Sequence, residues 1–259
     1  MRVLFLLCFL VCSQLSAQSP TEYEAAYYLE GSDTLQYRIL QPQNKEAGKK
    51  YPLVLFFHGS GERGDDNLAQ LKHGSLLFTQ KENREKFNAF VVFPQCPRGD
   101  YWANISYNNE GNGLGFGFKK QAPPQKSLKL SLGLLDELLQ NPNVDTSRIY
   151  VMGLSMGGMA TYELLQRRPG VFAAAIPICG GGNTENAQLY AKNTPVWIFH
   201  GTDDRVIHPK YSIEMATAIN EAGGSPRLNL YDKTGHDSWT RAFAEPDFLS
   251  WLFSHRKKP

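Results

Sequence analysis

The amino-acid sequence predicts an α/β fold, a single domain built on a doubly wound, mainly parallel β-sheet. Short apolar runs alternate along the chain with helical patterns, which is typical of strand–helix–strand units. The runs are apolar at nearly every position, as expected for strands that helices cover on both faces. We predict six such strands, at 53–57, 90–93, 149–152, 173–178, 196–199 and 228–231.

The remaining elements continue this alternation along the chain. Residues 34–40 are predicted to form an early strand. Residues 126–140 carry leucines at helical spacing, and 211–222 form a helix that Gly223-Gly224 ends. A last helix begins near residue 245. Because no repeat or linker interrupts the pattern, we expect one domain.

Residues 1–17 have the features of a secretory signal peptide. A charged start is followed by an apolar run and by a polar end with small residues, which suits cleavage before Gln18. The run is shorter than the ~20 residues that span a bilayer. The alternatives are a lipoprotein modified at Cys12 and a buried N-terminal helix. We expect a mature domain at 18–259, secreted or periplasmic.

The charge balance argues against two classes of partner. The 27 Lys and Arg residues oppose 25 Asp and Glu residues, a net charge of +2, and loss of Arg2 with the leader leaves about +1. So small a charge gives no strong attraction to nucleic acid or to an anionic membrane. No later segment is apolar for long enough to cross a bilayer, so no stable membrane anchor is expected.

The pattern Gly-Leu-Ser-Met-Gly at 153–157 predicts a nucleophile at Ser155. It follows an apolar strand and precedes a helical pattern, the context of a nucleophile elbow. Such a turn holds its serine in a strained conformation, so the residues two positions away must be small. Gly153 and Gly157 meet this demand. The alternative is an ordinary glycine-rich turn.

A serine hydroxyl needs a base to remove its proton, and the base needs an acid to orient it. In this architecture the acid and the base follow the serine in that order. Asp203 and Asp204 follow one strand, and His236 follows the next, at the edge where ligands collect in such sheets. His236 is therefore the predicted base, while the two aspartates remain alternatives for the acid.

An oxyanion hole should accompany the elbow. One donor is expected to be the backbone N–H of Met156, the residue after the nucleophile. The second should come from the His-Gly-x-Gly turn after strand 53–57, where we favour the N–H of Ser60 over that of Gly61. His58 is expected to pack at the strand end and position this turn.

Three further stretches strengthen the same interpretation. They are His58-Gly-Ser-Gly-Glu-Arg-Gly64, His200-Gly-x-x-Asp204-x-Val206 and Gly235-His-Asp-Ser-Trp239. Together with the elbow they resemble the α/β-hydrolase superfamily. More narrowly they resemble the esterase group that holds feruloyl and acetylxylan esterases of carbohydrate esterase family one, with dienelactone-hydrolase-like and polyhydroxybutyrate-depolymerase-like relatives. This resemblance covers about 37–251.

The resemblance implies both an acid and an activity. In that group the acid is the aspartate four residues after the histidine of the His-Gly turn, which is Asp204. The implied activity is carboxylic ester hydrolysis through an acyl-enzyme. Plant polysaccharide esters (feruloyl or acetyl) or small aryl and alkyl esters are the expected substrates. The alternatives are a serine peptidase of the prolyl-oligopeptidase type and a non-catalytic carbohydrate-binding protein on the same fold.

The insert at 94–124 is the segment expected to face the substrate. Trp102 and Tyr107 could stack on an aromatic acyl group or a sugar ring, or they could pack the insert against the domain. The glycine-rich run at 111–117 is expected to be a flexible loop. Trp239, three residues after His236, is a further candidate for substrate contact, although packing of the histidine loop is favoured.

Cofactors and metals have no sequence support. The chain contains neither His-Glu-x-x-His nor a cysteine pair at zinc spacing. Outside the leader it has two cysteines, Cys96 and Cys179. Both follow predicted strands, and a disulfide or two buried thiols are equally compatible with their positions.

Overall fold

The central sheet of the domain has eight strands, and a separate hairpin has two. The computed structural model describes residues 22–110 and 113–257, so the predicted signal peptide at 1–17 lies outside the described residues. The strands are β1 (Glu24–Glu30), β2 (Asp33–Leu40), β3 (Tyr51–Phe57), β4 (Phe90–Pro94), β5 (Ile105–Glu110), β6 (Gly113–Phe118), β7 (Val144–Leu154), β8 (Ala174–Ile178), β9 (Trp197–Gly201) and β10 (Arg227–Tyr231).

The large sheet has the order β1-β2-β4-β3-β7-β8-β9-β10. Strand β2 pairs antiparallel with β1 and β4, and the neighbours from β4 to β10 pair in parallel. The parallel strands therefore end at one edge of the sheet. The loops after β3, β7, β9 and β10 meet there, which brings together segments far apart in sequence.

Helices cover the sheet on both faces. They are α1 (Ser75–Thr79), α2 (Lys81–Lys86), α3 (Lys126–Leu139), α4 (Met156–Arg167), α5 (Lys210–Glu221), α6 (Trp239–Phe243) and α7 (Phe248–Ser254). Helices α3, α4 and α5 share one apolar core with Leu53, Leu55 and Phe57 of β3. Helices α1, α6 and α7 share another with Val54 and Phe56. This alternation along one strand confirms the predicted doubly wound architecture.

All six predicted core strands are present, and β7 begins earlier than expected, at Val144. The prediction of a flexible loop at 111–117 was wrong for the residues that the structure describes, 113–117. Residues 113–118 form β6, which pairs antiparallel with β5. In β6 glycine alternates with Leu114, Phe116 and Phe118. Phe116 and Phe118 pack on Tyr211 of α5, so one face of this hairpin is anchored to the domain.

The two thiols of the described residues, Cys96 and Cys179, lie in different cores. Cys96 packs in the core that holds α3, α4 and α5, and Cys179 packs in the core on the other face of the sheet. Both cysteines are free and buried. Of the two alternatives, the structure supports buried thiols. Within the described part of the chain, no helix has the length and apolar character to cross a membrane.

Candidate active site

Ser155 lies at a sharp turn between β7 and α4. Its φ of 55° and ψ of −118° place a residue with a side chain in a region that favours glycine. A Cβ atom on Gly157 would overlap the carbonyl oxygen of Phe57, and one on Gly153 would overlap that of Gly157. The sequence-based explanation of the two glycines is therefore confirmed: the elbow is too tight for larger residues.

The structure brings Ser155, His236 and Asp204 into one hydrogen-bonded chain. His236 Nε2 lies 2.9 Å from Ser155 Oγ, and His236 Nδ1 lies 2.7 Å from Asp204 Oδ2. Ser155 is 6% exposed, and the Asp204 side chain is fully buried. This order suits proton transfer from the serine, because the carboxylate accepts from Nδ1 and leaves Nε2 free to act as a base.

Asp204 is held by donors on both of its oxygens. The backbone N–H groups of Val206 and Ile207 donate to Oδ1, at 2.8 and 3.0 Å. Burial alone would raise the pKa of Asp204, but hydrogen bonds from His200, His236 and Ile207 outweigh it and hold the pKa well below its usual range. The neighbouring Asp203 is exposed, and its carboxylate accepts from the Thr202 hydroxyl.

A second histidine contacts the same carboxylate. His200, the fourth residue of β9, is fully buried, and its Nε2 lies 3.1 Å from Asp204 Oδ2. In the sequence, His200 stands out only as part of the His-Gly motif, with no role of its own. Its spacing of four residues before Asp204, at a strand end, was the available signal.

The turn after β3 lies against the elbow, where the oxyanion hole was predicted. A Cβ atom on Gly59 would lie only 3.5 Å from the Cβ of Ser155. Ser60 follows in a short 3₁₀ helix, Ser60–Glu62, and Met156 is the first residue of α4. The two N–H groups therefore belong to segments that meet at Ser155, and their role as oxyanion donors remains a prediction.

His58 positions this turn, as expected. Its Nε2 accepts from the backbone N–H of Cys96 at 3.0 Å, so the proton of the neutral ring is on Nδ1, which lies 2.6 Å from the Gly59 carbonyl oxygen. Burial lowers the pKa of His58 to about 4, although its contact with Gly59 opposes this and Arg63 adds a smaller lowering. His58 is thus a neutral link between two loops.

Trp102 does not face the substrate region. The side chain is 0% exposed, packs edge-on against Phe57 and donates from Nε1 to the carbonyl oxygen of His58 at 3.2 Å. The expectation of substrate stacking at Trp102 is corrected to packing beneath the turn, because no ring face is open to a ligand.

Tyr107 lies on the exposed side of the hairpin. It is 58% exposed and its ring packs against Phe116 across the β5–β6 pair. Phe116 in turn belongs to a small apolar cluster with Met159 of α4 and Ile207 of the Asp204 loop. The hairpin therefore borders the carboxyl edge of the sheet, and a substrate contact at Tyr107 remains a prediction.

Trp239 lies between two histidines. Its ring is edge-on to His236, with centroids 5.4 Å apart, and 5.2 Å from the ring of His73. It is half-buried, which fits the favoured role of holding the histidine loop. A contact between Trp239 and the substrate remains a prediction.

Glu62 is a buried acid beside the elbow that sequence analysis assigned no role. Its Oε2 would lie 3.1 Å from a Cβ on Gly59, and Oε1 lies 3.5 Å from His73 Nε2 and 3.8 Å from Lys72 Nζ. The sequence feature that could have drawn attention to Glu62 is its position as a charged residue inside a glycine-rich turn. The Glu62 carboxyl group therefore lies against the turn that meets Ser155.

Cys179, Asp204 and His236 form the one grouping of potential metal ligands found among the described residues, with one ligand atom of each within 4.8 Å of the others. Asp204 and His236 are already hydrogen-bonded to each other. Burial, and next the charge of Asp204, raise the pKa of the Cys179 thiol, which keeps it protonated. Two of the three groups are therefore already engaged with each other in the hydrogen-bonded triad.

The chain order of serine, aspartate and histidine, each on a loop at the carboxyl edge of a doubly wound sheet, is that of the α/β-hydrolases. Comparison with known proteins narrows this class. The chain belongs to the phospholipase/carboxylesterase family of α/β-hydrolases, whose profile matches residues 39–250.

Among solved structures, a thermostable esterase is 31% identical and superposes with a TM-score of 0.82 over 92% of this chain and 64% of its own. The bifunctional acetylxylan esterase/xylanase XynS20E of Neocallimastix patriciarum is 36% identical over 29% of this chain and 11% of its own length. Poly(3-hydroxyalkanoate) depolymerase C of Paucimonas lemoignei is 31% identical over 50% of this chain and 28% of its own length. The chain thus spans less than two thirds of these relatives.

Proposed function

We propose that this protein is a serine carboxylesterase that hydrolyses esters through an acyl-enzyme on Ser155. The hydrogen-bonded chain from Ser155 through His236 to Asp204 carries the proposal. It supplies a nucleophile, a base and an acid at hydrogen-bond distances in the absence of substrate.

The reaction proceeds in two displacements. His236 Nε2 accepts the proton of Ser155 as Oγ bonds to the ester carbonyl carbon, and the carbonyl electrons move to its oxygen. The N–H groups of Met156 and Ser60 stabilise this oxyanion. The C–O bond to the alcohol then breaks, and His236 returns the proton to the leaving oxygen. Water repeats the sequence and releases the acid and free Ser155.

The test compares wild-type protein with Ser155→Ala. We expect loss of p-nitrophenyl acetate hydrolysis in the variant, with an unchanged circular dichroism spectrum. Covalent labelling by a fluorophosphonate should occur at Ser155 in the wild type and disappear in the variant. Equal hydrolysis by both proteins would refute the assignment. An unlabelled, inactive wild type would instead support a non-catalytic binding protein.

We propose acyl esters of plant polysaccharides, feruloyl or acetyl, or small aryl and alkyl esters as substrates. The relative from Neocallimastix patriciarum is named an acetylxylan esterase, and the exposed Tyr107 ring on the hairpin offers a surface for an aromatic acyl group.

We expect Tyr107→Ala to raise KM for methyl ferulate more than for p-nitrophenyl acetate. Tyr27→Ala, on the edge strand β1, is the control with an equally exposed tyrosine. Equal effects on both esters would contradict a role in acyl recognition.

Ester rather than amide hydrolysis is proposed because the supporting relatives at 31–36% identity are named esterases or depolymerases. An acylaminoacyl peptidase superposes with a TM-score of 0.61 at 16% identity, which shows only a shared fold. A matched p-nitrophenyl ester and p-nitroanilide separate the two activities. Faster turnover of the anilide would favour the peptidase.

We also propose export of the protein, since residues 1–17 have the pattern of a signal peptide. Mass spectrometry of the exported protein should find Gln18 at its N-terminus. Full-length protein that remains inside the cell would contradict this proposal.

A further inference from the structure

We infer that His200 is a positioning residue for the proposed ester hydrolysis, acting through Asp204. Its imidazole N–H fixes the carboxylate oxygen that orients His236. The inference rests on the proposed function and adds a fourth side chain to the triad. His200 is fully buried, and its described hydrogen bonds go to Ser212, Asp204 and Ile207, so it acts through its neighbours.

The two contacts of His200 Nε2 define which atom carries the proton. Nε2 lies 2.8 Å from the carbonyl oxygen of Ile207 and 3.1 Å from Asp204 Oδ2. A carbonyl oxygen and an ionised carboxylate can only accept hydrogen bonds, so Nε2 must be the donor. One N–H thus links the acid to the backbone of the loop that carries it.

The other side of the ring is anchored to the domain. His200 Nδ1 lies 2.7 Å from Ser212 Oγ on α5, and with the ring proton on Nε2 it accepts from that hydroxyl. Both His200 and Ser212 are fully buried. A ring held at both nitrogens by buried partners cannot turn away from Asp204 without breaking these hydrogen bonds.

Asp204 Oδ2 is consequently shared by two imidazoles, His200 at 3.1 Å and His236 at 2.7 Å. Without the His200 donor, the charge on Oδ2 would face His236 alone. The carboxylate would then bind the protonated form of His236 more strongly, which hinders its action as a base at low pH. It would also lose one of the hydrogen bonds that set its angle.

Two substitutions of similar polarity test this role. In His200→Gln the side-chain amide N–H₂ can occupy the place of Nε2 and donate to Asp204. In His200→Asn the shorter amide reaches only the place of Nδ1, so it keeps Ser212 but loses Asp204. If His200 serves only to fill the core, the two variants should lose activity in proportion to their loss of thermal stability.

We expect His200→Gln to retain most of kcat/KM for p-nitrophenyl acetate. The same parameter in His200→Asn should fall by about 10–100-fold, which corresponds to the loss of one hydrogen bond to a charged group. Its acidic limb in the pH profile of kcat/KM should move to higher pH, while that of His200→Gln stays in place. In an Asp204→Asn background, His200→Asn should cause little further loss, because the residue it acts through is already altered.

Fluorophosphonate labelling rates separate this inference from the proposed function. They report the reactivity of Ser155 whatever its natural substrate is. If the wild type is labelled but hydrolyses no ester, the esterase proposal fails, and His200 is still tested by the labelling rates of the two variants. The inference is overturned if both variants slow equally, if neither slows, or if His200→Asn causes its full loss in the Asp204→Asn background. If His200→Asn does not fold, a displaced acidic limb in His200→Gln would overturn it too.

Discussion

At the residue scale, local contacts distinguish Asp204 from its neighbour Asp203. Asp204 is buried and accepts from two backbone N–H groups and two imidazoles. These donors keep the pKa of Asp204 low despite its burial, so the carboxylate is ionised at neutral pH. Asp203 is exposed and makes no contact with His236 among those described. The choice between them depends on the turn after β9, which sequence alone left open.

We expect Asp204→Asn to lower kcat for p-nitrophenyl acetate by about 10³–10⁴-fold. An amide can donate to His236 Nδ1 and so favour the tautomer that cannot accept the serine proton. Asp203→Asn is the matched control and should stay close to wild type. A larger loss at Asp203 would transfer the role of the acid to that residue.

At the element scale, the strands and turns that depend on nearby residues could be predicted from the sequence, whereas those that depend on distant residues could not. Strand β3 is buried at every position, β7 is buried from Ile149 to its end, and the elbow glycines follow from the sterics of one turn, so sequence was sufficient for these parts. The hairpin β5–β6 was missed because three glycines weaken the pattern of β6. Its anchor, the Tyr211 hydroxyl that accepts from the Phe116 N–H at 2.6 Å, is distant in the chain. The role of His200 depends in part on Ser212 of α5, which lies 12 residues further along and which the sequence pattern did not link to it.

The contact between β3 and α4 predicts a strong effect at Gly157. A Cβ atom there would overlap the backbone carbonyl of Phe57, which cannot move without displacing the turn at Gly59. We expect Gly157→Ala to lower the free energy of unfolding by at least the ~1–3 kcal/mol of typical overpacking, and to abolish ester hydrolysis. Urea denaturation measures the first effect.

Gly99→Ala is the control for this substitution. A Cβ atom on Gly99 has open space, and Gly99 does not have a positive φ. Its stability and activity should therefore remain close to wild type. If Gly157→Ala matched this control, the tight contact between strand and helix could not be what requires glycine in the elbow.

At the scale of the whole molecule, the sheet separates the two cores and with them the two thiols. Burial raises the pKa of the Cys96 thiol to about 12, and that of Cys179 is also raised. We expect neither cysteine to react with iodoacetamide in the native protein and both to react after denaturation. Peptide mass spectrometry measures this for each cysteine. A Cys96–Cys179 disulfide-linked peptide would contradict the separation.

The fold as a whole should lose stability in mild acid because it buries His58 in its neutral form. An unfolded histidine has a pKa of 6.5, whereas the pKa of folded His58 is about 4. Between these values the unfolded chain binds a proton that the folded protein does not. The contribution of His58 to the free energy of unfolding is therefore complete above pH 6.5 and is lost as the pH falls toward 4. Its full size is roughly 3 kcal/mol, of which roughly 2 kcal/mol is lost by pH 5.

Urea denaturation at pH 7 and pH 5 tests this contribution. His58→Gln keeps a group that can accept from the Cys96 N–H but does not titrate, so its unfolding free energy should fall by about 2 kcal/mol less than that of wild type. His208→Gln replaces an exposed histidine, so its unfolding free energy should fall between pH 7 and pH 5 by as much as that of wild type. If His58→Gln showed the same fall in unfolding free energy as wild type, the acid sensitivity would have to arise elsewhere than at the link between the turn after β3 and the Cys96 loop.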